Sequence, residues 1–214
     1  MMKQQAIPQE VGQLEEQHEK NFRQLVKGGG WLKLKPAIRS RFDAMAMGEI
    51  FDYSGEMIIR RSAIGAFFAC ACKLFGAPLV RHKDENAHVD IRVFEQKDGI
   101  CWARTLHFAD KPSLTVSSVK IINKDHGLME RVGGGLHMKL NVYEEDGNMH
   151  FVSESYYIKI FNHFIALPLL ITPGKLHVAH IENGNGTFRF TMSFKHKIWG
   201  ETFYQDGIFH RKGD

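Results

Sequence analysis

Cysteine is scarce in this chain: Cys70, Cys72 and Cys101 are the three present. They form neither a Cys-x-x-Cys motif nor an even-numbered framework, which excludes a disulfide-stapled scaffold and points to a reducing compartment. Long apolar runs are missing too. The longest, "AIGAFFACACKLFG" from Ala63 to Gly76, contains Lys73 and falls short of the roughly 20 residues that a spanning helix needs. The opening "MMKQQAIPQEVGQLEEQHEK" is polar and acidic, the opposite of a secretory signal. A cytoplasmic location is therefore expected. Charge of one sign is not concentrated either. The net charge of +4 is spread along the chain, with basic clusters no longer than "KLK" and "RHK". Dedicated nucleic-acid binding shows a concentrated basic face, so no nucleic-acid partner is expected, although weak attraction to anionic ligands or membrane surfaces is allowed.

Catalytic motifs are also lacking. There is no His-Glu-x-x-His, no His-x-His and no Gly-x-Ser-x-Gly elbow. The glycine triplets 28–30 and 133–135 lack the strand-loop-helix setting and the Lys-Ser/Thr of a phosphate loop; they read as a linker and a strand bend. Of the 12 histidines, the closest pairs are His82 with His88 and His177 with His180. An i, i+3 pair on a strand points to opposite faces and makes a poor set of joint ligands. Surface histidines, no metal and no cofactor are the expectation.

What is present is a globular composition, 43% hydrophobic and 24% charged, with material for a sizeable core. The first part, 1–47, reads as a helical extension packing on a β domain, 48–214. "EVGQLEEQHEKNFRQLVKG" carries sparse apolar anchors and ends on glycines, and "LKPAIRSRF" is a short helix with Pro36 in its first turn. From residue 48 to 214 the pattern becomes that of strands. "EIFDYSGEMIIRR" is a strand with a bend at Gly55. The apolar helix 63–75 comes next, apolar on nearly all sides and so expected to be buried or laid on a hydrophobic surface. Then come strands with hairpin punctuation at Asp98-Gly99, Asp146-Gly147 and 183–186. About nine or ten strands without β-α-β alternation require an antiparallel, meander-like sheet. Phe188, Phe190, Met192 and Phe194 share one face, as do Leu136, Met138, Leu140 and Val142. One apolar face per strand requires a second sheet or curvature of the sheet onto itself. The expected fold is mainly β: a strongly curved antiparallel sheet, barrel or half-barrel, holding the helix 63–75, with short N-terminal helices.

One residue breaks the alternation. In "ICWARTLHF", Ile100, Trp102, Leu106 and Phe108 share a face with Arg104. Two readings account for an inward guanidinium. It forms a buried ion pair with Glu130 or another carboxylate or stacks on Trp102, or it addresses the head of an anionic ligand in an interior cavity.

The order of several segments resembles a bacterial family, domain of unknown function 4166, over about Phe22 to Phe209. "WLKLKPAIRSRF" resembles its opening element, and "YSGEMIIRRSAIGAFFACACKLFGAP" its strand followed by a helix. "WARTLHF" with Ser117 resembles its Trp-x-Arg-x-x-x-Phe…Ser signature, and "LMERVG" its Glu-Arg segment, with Val132 in place of an aromatic. "IALPLLITP" stands at its Pro-rich loop and "NGTFRFTMSFKHKIWGETFYQDG" at its closing hairpin. The resemblance implies a reductase-like partner, because the family often follows reductase-like domains in larger proteins, and implies no activity.

The candidate ligand-binding residues are Arg104, Trp102, Phe108 and Arg60, which ends the first strand. Glu130, His137 and Tyr156 are the candidate proton carriers, and Glu130 is free for that role only if it does not pair with Arg104. Binding of a small hydrophobic or amphipathic molecule is the leading function. The alternatives are a cofactor-free isomerase, cyclase or dehydratase using the same cavity, and an interaction module for a reductase partner. The stretch 164–173, nearly uncharged and split by Pro168 and Pro173, reads as a cover over one end of the barrel, or as a lid making peripheral membrane contact.

Overall fold

The structure is a computed structural model that describes residues 23–46, 49–74, 79–96 and 98–213. The expected N-terminal helix up to Phe22, the 47/48 boundary and the Gly76-Ala77-Pro78 stop lie outside them. In chain order the elements are α1 (Pro36–Ala46), β1 (Phe51–Arg61), α2 (Ala63–Leu74), β2 (Asp84–Gln96), β3 (Gly99–Phe108), β4 (Lys111–Asn123) and β5 (Gly127–Gly133). They continue with β6 (Leu136–Glu145), β7 (Asn148–Ile160), β8 (His163–Leu167), β9 (Lys175–Glu182), β10 (Thr187–His196) and β11 (Gly200–Arg211). Short 3-10 segments cover Lys27–Lys33 and Leu169–Ile171.

Ten strands close into an antiparallel barrel. Neighbours follow the chain from β1 to β7; β9, β10 and β11 then return to β1. The inward rows are those the alternation marks. Phe188, Phe190 and Phe194 are buried, as are Met138, Leu140 and Val142. Closure leaves no edge on the ring for another chain to pair with.

Strand β7 serves two neighbours. Its residues 149–152 pair with β9, whereas 156–160 pair with β8. The register against β6 slips between Lys139–Ser155 and Leu140–Ser153, so Glu154 is an extra residue that bends the strand. Beyond the bend the β7 tail stays paired with β6 through Ile158 but exchanges β9 for β8, which pairs with its other edge as a flap. Thus the stretch 164–173 is part strand and part 3-10 turn at one end of the barrel.

Both barrel ends are covered. At one, α1 inserts Ile38 and Phe42, which together with Leu34 are at most 2% exposed. The Phe42 ring lies 6.3 Å from Trp102, 6.0 Å from Phe151 and 5.4 Å from His180, so one core joins this helix to the strands. At the other end, α2 crosses the start of β11. A Cβ on Gly65 would come 2.1 Å from the Thr202 carbonyl oxygen, so only glycine permits this approach. The Ser62 amide donates to the same carbonyl at 3.0 Å. Only part of α2 is buried, contrary to the expectation from its composition. Phe68 and Ala69 face inward, while Phe67 is 64% exposed and Cys70 is exposed. The apolar outer face of this helix has no neighbour within the described chain.

Candidate functional site

Between the two covers lies a cavity of about 260 Å³, larger than the ~150 Å³ apolar void that takes up benzene. Its upper wall is α2, through Phe68 and Cys72, and the segment Leu167–Pro173. Most of the rest is apolar. Deep inside, adjacent strands bring together a small polar group: Arg104 from β3, Ser118 and Lys120 from β4, Glu130 from β5 and His180 from β9.

The pairing register explains this group. Lys120 stands directly opposite Glu130 on β4 and β5, and Lys120 Nζ lies 3.4 Å from Glu130 Oε1 with both side chains 9% exposed. Opposite charges at such cross-strand positions attract. The Lys120 ammonium also lies 5.5 Å from the Trp102 ring and 5.1 Å from that of Phe151. Arg104 faces Ile91 on one side and Val116 on the other, so no carboxylate is directly across from it. Its Nη2 donates to Ser118 Oγ at a long 3.4 Å, and its Nε has no partner among the described residues. Arg104 is half-buried and lines the cavity.

Electrostatics follow from this arrangement. Burial pushes the Glu130 carboxyl up, but Lys120, the Ser118 hydroxyl and Arg104 together hold it below the ordinary glutamate value. Burial pushes both Lys120 and Arg104 down, and Glu130 opposes the shift in each. His180, 2% exposed, is held well below the ordinary histidine value by burial first, then by Arg41, Lys120 and Arg104. It is therefore neutral near pH 7, and its Nδ1 has no hydrogen-bond partner among the described residues. Two cations thus share one carboxylate in an apolar setting.

The candidate residues of the sequence separate into three groups. Arg104, Trp102, Glu130, His137 and Tyr156 border the cavity. Glu130 pairs with Lys120 rather than with Arg104. Buried His137 donates Nδ1–H to the Gly135 carbonyl at 2.8 Å, and its ring meets Phe164 edge-on. The Tyr156 hydroxyl donates to the Gly174 carbonyl at 2.5 Å, and burial raises its pKa. Phe108 packs against the core and the His82 ring without lining the cavity. Arg60 is on the outer face, 58% exposed and bonded through Nη2 to Glu85 at 2.9 Å. The correction is one of phase. Ile59 is buried, so the next residue on the strand must face out. Ser118, cross-strand from Trp102, contacts Arg104, and its neighbour Ser117 also borders the cavity.

The histidines and cysteines need correction too. His180 is a core residue rather than a surface one, in phase with Leu176 and Val178. His177 does face the other way, with its Nε2 3.0 Å from His150 Nδ1. On the helix expected to be buried, Cys72 lines the cavity and Cys70 is exposed. Lys120, Ser118 and His180 escape a reading of the sequence because polar residues on an inward row look like interruptions of it. Their phase is the available signal.

Among the described residues no helix is long and apolar enough to cross a membrane. Comparison with curated proteins gives no match. The model of the domain of unknown function DUF4166 matches residues 34–209, from the α1 plug to the last strand, so the chain belongs to that family.

Proposed function

We propose that the barrel binds a small amphipathic molecule whose apolar body fills the cavity and whose anionic head meets Arg104. The observation that carries this reading is the charge imbalance in the interior. Lys120 is matched by Glu130, while Arg104 has one long hydrogen bond and an Nε without a partner. A buried cation costs several kcal/mol (roughly, after relaxation) unless it is paired. A carboxylate or similar anion from a ligand supplies the missing partner with a charge-assisted bond. His180, neutral and with a free ring nitrogen, adds a polar contact at the same depth. Among the few polar groups of a mainly apolar pocket, such residues orient the ligand.

The reading as a cofactor-free isomerase, cyclase or dehydratase has less support. Glu130 is held ionised by Lys120 and Arg104, and the Tyr156 proton is committed to the Gly174 carbonyl. Neither group is poised for proton transfer at neutral pH.

The test is displacement of anilinonaphthalene sulfonate from the folded protein by a long-chain fatty acid and by the alcohol of equal chain length. Saturable, stoichiometric dye binding is expected, with the acid displacing at least tenfold better than the alcohol. No saturable binding, or equal displacement by both, defeats the proposal.

A further inference from the structure

The geometry points to a docking surface for an anionic lipid bilayer at the α2 end of the barrel, around the mouth of the cavity. Three segments carry it: α2, the stretch from β7 through β8 to the start of β9, and the β10–β11 turn. Each exposes large apolar side chains at this one end. Phe67 is 64% exposed, Phe161 92%, Ile171 61% and Trp199 46%. The segments are physically joined. The Phe67 and Trp199 rings both contact Phe68, at 6.0 and 6.1 Å, and His196 Nε2 donates to the Leu170 carbonyl at 3.2 Å. Ile171 is both exposed and part of the cavity wall, so the apolar surface continues into the interior. An apolar patch of this kind marks a contact surface.

Charge identifies the occupant. The same segments hold Lys73, Lys159, Lys175, Lys195 and Lys197, all exposed, against two exposed carboxylates, Glu201 and Glu154, the latter already paired with Lys139. None of these five lysines forms an ion pair among the described residues. Exposed aromatic and aliphatic tips on segments whose ammonium groups lack an ion-pair partner among the described residues fit a surface with an apolar interior and negative head groups. Tryptophan and lysine are the side chains that settle at such an interface.

The tip of the β7–β8 hairpin adds a second observation. Ile160 pairs with His163, leaving a two-residue turn, and Phe161 occupies its first position with φ +52°. That position of a II′ turn favours glycine, and a bulky residue there is strained. The chain keeps a phenylalanine where glycine would sit better, and leaves its ring in solvent. Strain retained on an exposed tip indicates a use for the side chain. The inference goes beyond the cavity reading, since docking requires only the mouth residues, and it supplies a route by which an amphipath leaves a bilayer for the barrel.

The experiment is co-sedimentation of the full chain with vesicles of phosphatidylcholine alone and of phosphatidylcholine mixed with phosphatidylglycerol. Pelleting with the mixed vesicles is expected, with at least tenfold weaker binding to phosphatidylcholine alone and loss of binding at high salt. Phe161→Gly should weaken vesicle binding severalfold while leaving thermal stability equal or higher, because it relieves the turn. The charge-reversed double variant Lys195→Glu, Lys197→Glu should bind at least tenfold more weakly. Dye binding in the cavity should be unchanged in both, and Arg104→Met should pellet like the parent, which separates failure of docking from failure of the cavity reading. No pelleting of the parent protein with the mixed vesicles overturns the inference, and so does undiminished pelleting of both mouth variants.

Discussion

Replacing Arg104 with methionine removes the guanidinium and keeps most of its volume, so packing changes little. The consequence for stability depends on whether a carboxylate is left stranded. Lys120 Nζ is 3.4 Å from Glu130 Oε1, whereas the hydrogen bond of the Arg104 side chain among the described residues goes to Ser118 Oγ, at 3.4 Å. Glu130 therefore keeps its nearest cation in the variant. The parent already bears the cost of a buried, poorly paired cation, and replacing such groups with apolar ones is often neutral or stabilising. Arg104→Met should change unfolding free energy by less than about 1 kcal/mol, a shift of roughly 2–4 °C in Tm at this chain length. Lys120→Met is the contrast, because it removes the cation that pairs with buried Glu130 and leaves the more distant Arg104, and it should cost about 3–5 kcal/mol. Ligand affinity should respond in the opposite order of importance. A hydrogen bond to a charged group contributes about 1.5–3 kcal/mol, and each 1.4 kcal/mol is about tenfold in Kd. Arg104→Met should therefore weaken binding of a long-chain acid tenfold or more and leave the matching alcohol nearly unaffected. Thermal melts and dye displacement on these two variants suffice. A loss of 3–5 kcal/mol in Arg104→Met, or an unchanged preference for acid over alcohol, would refute the reasoning.

Burial holds His180 well below the ordinary histidine value of 6.5, so as pH falls through that value the unfolded chain takes up a proton that the folded one does not. Folding stability should then decline as pH drops below about 6.5, a slope to which His137, His150 and His177, also lowered by burial, contribute. In His180→Phe the Tm difference between pH 7.5 and pH 5.5 should shrink; an unchanged difference contradicts the burial argument. Phe42→Ala removes the ring that α1 inserts against Trp102, Phe151 and His180, and should cost about 3–5 kcal/mol in chemical denaturation, whereas a loss under 1 kcal/mol would mean that α1 is not part of the core.

The period of two along each strand was readable in the chain itself, because side-chain direction is a local property of extended backbone. It assigned the inward faces of β6 and β10, put Arg104 beside Trp102, and set Glu130 and Arg131 on opposite sides, where Arg131 now pairs with Asp98 outside. The hairpin turns were equally local, since Asp146 and Gly147 both take positive φ, as their residue types favour. Closure of the ring was not local. It depends on β7 pairing with β6 along its length while a bulge at Glu154 sends its tail to β8. Nor could the chain alone say which cation Glu130 would take. That choice was made by register: Lys120 stands directly across the ladder, and Arg104 has Val116 and Ile91 there instead. The insertion of Phe42 into the barrel end and the approach of α2 to Thr202 through Gly65 likewise rest on contacts between segments distant in sequence. Alternation specifies which way each side chain points; only the paired and closed strands specify which other side chain it meets.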